Sequence, residues 1–66
     1  MTVAKVSEIT SSSPTSFDEA IRQGIARANE TLDNVKGAWI SEQKVVVVDG
    51  KVTEYRVTMR VTFVLK

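Results

Sequence analysis

The chain has 66 residues, with nine Lys and Arg against eight Asp and Glu, and it contains neither Cys nor His. That inventory rules out disulfide staples and argues against a structural zinc site and against nucleophilic pairs built on His or Cys. A net charge of +1 with interspersed signs does not suit bulk binding to nucleic acid or to a membrane surface.

A single domain this small buries only about 60% of its unfolded surface, so oligomerisation is the remaining route to added stability. Residues Val3 to Thr10 alternate imperfectly, with Val3, Val6 and Ile9 apolar, and predict an edge strand. The run from Thr10 to Thr15 reads as a loop, because it is rich in hydroxyls and Pro14 disfavours helix at Ser13. Ser16-Phe17-Asp18-Glu19 fits a capping box, in which Ser16 accepts from the Glu19 backbone and the Glu19 side chain reaches back to the Ser16 N–H. A helix follows. Phe17, Ala20, Ile21, Gly24, Ile25, Ala28 and Leu32 recur at spacings of three and four and form one apolar stripe, while Asp18, Arg22, Gln23, Asn29, Glu30 and Asp33 lie largely off it. Gly24 costs about 1 kcal/mol in helix propensity, and its simplest role is close approach to a sheet. Asn34 suits a helix end in the left-handed region.

From Ala38 to Lys66 two long apolar-rich runs meet at Asp49-Gly50, the signature of a two-residue type I′ hairpin turn. If Val48 faces Lys51, then Ala38 faces Val61, Trp39 faces Arg60, Ile40 faces Met59 and Gln43 faces Arg56. Tyr55, Val57, Met59, Val61, Phe63 and Leu65 alternate with polar residues, so one sheet face is meant for the core. The other face would carry Trp39, Ser41, Gln43, Arg56, Thr58 and Arg60. Gly37 marks either a bulge or a place where another group nears the backbone. At the hairpin tip Val45, Val46, Val47 and Val48, with Val52 across the turn, present apolar groups to both faces, so a second subunit is expected to cover what one helix cannot. The element order is β, α, β, β: an α+β fold with a three-stranded antiparallel sheet on one helix, one domain over 1–66. No apolar leader or membrane-length run is present, which predicts a soluble, cytoplasmic protein.

Chemistry is sparse. Asp18 and Glu19 are accounted for by the helix N-terminus and the remaining acids by solvated faces, so neither catalysis nor a metal site is expected. Binding is better supplied: Trp39 can stack on a flat ring, Arg56 or Arg60 can offer planar cationic donors, and Gln43 can read carbonyl and amide edges. An equally weighted reading buries Trp39 against a neighbouring subunit, and both hold if a ligand is trapped where two Trp faces meet.

Asp33-Asn34-Val35, then Gly37-Ala38-Trp39, then the run from Glu54 to Phe63, EYRVTMRVTF, closely resemble the dodecins over nearly the whole chain. The resemblance implies a hollow homododecamer that stacks flavins (riboflavin, FMN or FAD) between symmetry-related Trp rings, for storage and photoprotection; some dodecins also bind coenzyme A, which supplies an alternative cargo. By this likeness Trp39 takes the stacking role, Arg56 stands where several flavin-binding members have a Gln at the ring edge, and Gly37 occupies the place where those members carry the Trp itself. With Gln43, these are the expected ligand-binding residues.

Overall fold

In the computed structural model, which describes residues 3–32 and 34–65, the elements are β1 (Val3–Ser13), α1 (Phe17–Thr31), β2 (Val35–Val48) and β3 (Lys51–Leu65). Asp33, placed by its spacing on the polar side of the helix, and Lys66 at the end of the hairpin lie outside the described residues. The sheet is antiparallel in the order β1-β3-β2, so β3 is central and the other two strands are its edges. The expected βαββ fold is the observed one.

The centre of the sheet dictates where the helix lies. Val57, Met59 and Val61 of β3 are fully buried, joined by Ala20 and Ala28 of α1, with Ile9, Phe17, Ile21, Ile25, Leu32, Val35 and Ile40 packed around them. The helix can lie this close because its stripe is small. A Cβ built on Gly24 would stand 2.8 Å from Met59 Cε and 3.0 Å from Ser11 Cβ, so any larger residue would force Met59 and β1 to give way. At the helix N-terminus Phe17 meets Tyr55 edge to face, with ring centroids 5.2 Å apart.

Ser16 caps α1 as its spacing predicts, its Oγ accepting from the Glu19 N–H at 3.0 Å. The reciprocal half of the box is replaced: Glu19 Oε1 accepts instead from Gln23 Nε2 at 3.0 Å, one helical turn on. Asn34 adopts the expected left-handed conformation, with φ 59°, and its carbonyl accepts from the Val64 N–H at 3.2 Å. Asp49 and Gly50 at the hairpin turn also have positive φ, 52° and 75°, as a type I′ connection requires.

Two expectations are corrected. Ser11, Ser12 and Ser13 are not loop but the end of β1, paired with Val57, Arg56 and Tyr55. Composition suggested a loop, yet an available partner strand overrides weak strand propensity, and small side chains are what the helix approach needs at Ser11. The connection proper begins after Ser13, whose buried Oγ accepts from the Thr15 N–H at 3.0 Å. The second correction concerns register. Ala38, Trp39 and Ile40 face Val61, Arg60 and Met59 as expected, but a bulge between Ile40 and Glu42 shifts the strand by one, and Gln43 faces Val57 rather than Arg56. Lys44 takes the place opposite Arg56, and a compensating irregularity between Val46 and Val47 restores the turn register.

Candidate functional site

The sheet face turned away from α1 is read across its strands. Directly opposed residues of an antiparallel pair share a face, so Arg60 is flanked by Glu8 of β1 and Trp39 of β2. Trp39 is 65% exposed, the most exposed of the large apolar side chains described. The Arg60 guanidinium carbon lies over its ring, 5.3 Å from the centroid, and Arg60 Nε stands 3.6 Å from Glu8 Oε2. One row thus holds an acid, a planar cation and an open indole.

Neighbouring rows are polar. Thr58 lies between Thr10 and Glu42, with its hydroxyl 3.4 Å from that of Thr10, and its carbonyl accepts from the Ser41 hydroxyl at 3.1 Å. That last bond anchors the bulge residue itself. Further toward the hairpin tip Arg56 lies between Ser12 and Lys44 and donates through Nη2 to Glu54 Oε2 at 2.7 Å. The Ser12 hydroxyl and then the Arg56 guanidinium hold the Glu54 carboxyl below its usual range. The pair is solvent-accessible, so it adds little to stability.

Of the residues singled out by sequence, Trp39 and Gly37 share this face, and no atom lies within 4 Å of a Cβ built on Gly37, which leaves open space beside the indole. Arg56 shares the face too, but four residues along β3, roughly 14 Å from the row of Trp39 at strand rise, and already engaged by Glu54. Gln43 does not share it. Opposite Val57, it belongs to the helix side of the sheet, and a protomer cannot bring it to Trp39. Glu8 and Lys44, which sequence reasoning left out, do reach the face. Glu8 could have been found by extending the pairing to the first strand. Lys44 was signalled by Ile40 and Val45, which both belong to the core side although five residues apart; an odd step demands an extra residue between them.

An open groove between α1 and β1, lined among others by Ile9, Ser11, Gln23, Gly24, Arg27 and Thr31, lies along the helix, away from the Trp39 indole. Among the described residues no three His, Cys, Asp or Glu side chains gather as metal ligands would, and no helix is long and apolar enough to cross a membrane.

Comparison with known proteins points in one direction. The dodecin family model matches residues 3–66. A calcium dodecin of Mycobacterium tuberculosis is 36% identical over 67 residues, spanning 100% of this chain and 93% of that protein. Among solved structures, the dodecin from Streptomyces davaonensis superposes with a TM-score of 0.94 at 37% identity, covering 98% of this chain and 96% of that one. The crystal structure of the M. tuberculosis calcium dodecin, described as having a calcium-binding site, gives 0.83 at 34% identity, covering 97% and 91%.

Proposed function

This chain belongs to the dodecin family, and from that membership we propose that it is a non-enzymatic flavin-binding protein that assembles as a hollow homododecamer. The flavin ring stacks on Trp39, trapped between the indoles of two copies, so that water is excluded and the excited state of the ring is quenched. Riboflavin or a flavin nucleotide is the ligand, and the role is storage and photoprotection.

One observation carries this reading: an indole 65% exposed on the sheet face that its own helix leaves uncovered. A lone Trp in that position gains by covering its face with another ring, and stacking with a planar heteroaromatic is worth roughly 1–3 kcal/mol per face when the aromatic is removed. The open space beside Gly37 admits a ring wider than the indole. One relative is a calcium dodecin; in this chain the exposed aromatic face is what supports a planar ring as ligand.

Titration of apoprotein with riboflavin is expected to quench flavin fluorescence at micromolar protein. Trp39→Ala should weaken binding by about tenfold to a hundredfold, from the stacking energy above. Absence of quenching by wild-type protein, or release of coenzyme A without flavin from natively purified material in mass spectrometry, would overturn the reading.

A further inference from the structure

Two arginines stand on the Trp39 face, and they are differently occupied. Arg56 is held by Glu54 through a terminal nitrogen at 2.7 Å. Arg60 approaches Glu8 through Nε at 3.6 Å, longer than a hydrogen bond, and among the described residues its guanidinium donates no hydrogen bond. Its side chain is half exposed and rests over the indole. A guanidinium lying on an aromatic face is weakly hydrated and planar, so it can be replaced there by a larger ring at small cost.

We propose that Arg60 is a ligand-binding residue that selects, among planar rings able to stack on Trp39, those with a carbonyl-bearing or anionic edge. This rests on the ring-stacking reading above. A ring that takes the indole face moves the guanidinium to the ring's rim, where its terminal N–H groups donate to acceptors. Arginine has no acceptor of its own, so it rewards carbonyl oxygens and a deprotonated ring nitrogen and penalises cationic rings. Glu8, 61% exposed, acts as a positioning residue that holds the stem through Nε and leaves the terminal donors open. The charged groups on the face of Arg60 are Glu8 on β1, Glu42 and Lys44 on β2, and Arg56 with Glu54 on β3; the helix packs on the opposite side.

Lumiflavin, a flavin ring without sugar or phosphate, and proflavine, a planar cation without carbonyls, separate the possibilities. Wild-type protein is expected to prefer lumiflavin, and its bound N3–H to ionise at lower pH than in water, since a nearby cation favours the anionic form. In Arg60→Ala lumiflavin should bind on the order of tenfold or more weaker, proflavine should bind no worse, and the ionisation shift should vanish. Arg60→Lys, which keeps stem and charge, should retain the shift and lose part of the preference; if Arg60→Ala fails to assemble, an unchanged lumiflavin-to-proflavine ratio in Arg60→Lys overturns the proposal. So does Arg60→Ala protein that binds lumiflavin as well as wild type or better, which would make Arg60 only a cover. Wild-type protein that binds no lumiflavin would instead defeat the flavin reading itself.

Discussion

At Gly24 two residue-level forces oppose one another. Alanine there would gain about 1 kcal/mol of helix propensity, yet its Cβ would press on Met59 Cε at 2.8 Å and on Ser11 Cβ at 3.0 Å. The Met59 methyl is the free end of a flexible side chain and can give, but Ser11 Cβ is fixed to the backbone of β1. The overlap wins: Gly24→Ala should destabilise the protein by about 1–3 kcal/mol, read as a lower urea midpoint at unchanged slope. The purpose of this glycine was legible in the sequence, because it sits mid-stripe between Ala20 and Ala28 where nothing else excuses it. Trp39 was legible for a similar reason, since alternation in β3 fixes which face its partner Arg60 takes. Gln43 was misplaced, because its side depends on a bulged residue, Ser41, that no glycine or proline marks and that only the odd spacing of Ile40 and Val45 betrays.

The elements differ in how much each owes to local chemistry. For α1 the start is set by one hydroxyl. Ser16→Ala should cost about 1 kcal/mol and lower the thermal midpoint, whereas substitution of Glu19 should cost only a few tenths, because its carboxylate serves Gln23 and not the cap. A large loss on changing Glu19 would show that the reciprocal box matters after all. The hairpin owes its turn to Asp49 and Gly50, and both flanking strands were readable to within a few residues. The far end of β1 was not readable in isolation. Three serines carry too little strand propensity to declare themselves, and they are extended only because β3 offers Tyr55, Arg56 and Val57 opposite. Strand ends of this kind are decided by the partner.

Taken whole, the protomer is unfinished. Its radius of gyration is 13.5 Å over an extent of 52 × 19 × 14 Å, against about 11 Å for a compact chain of this length. The excess is the hairpin tip, which runs past the end of β1 at Ser13 and past the helix start, leaving Val45, Val47, Val48 and Val52 exposed. Apolar residues in such density belong under a second copy. Val48→Asp, placed opposite Lys51 at the turn, leaves the protomer's own core untouched and should shift native mass spectra from the assembled state to smaller species; an unchanged mass would mean that the tip is not an interface. Among the described residues, strands β1 and β2 each border the sheet with a row of N–H and C=O groups that no other strand satisfies. A copy stripped of its neighbours therefore offers two templates for cross-β growth, so release of free chains is expected to feed fibres, and association with further copies, where it covers these edges, also guards the chain against amyloid.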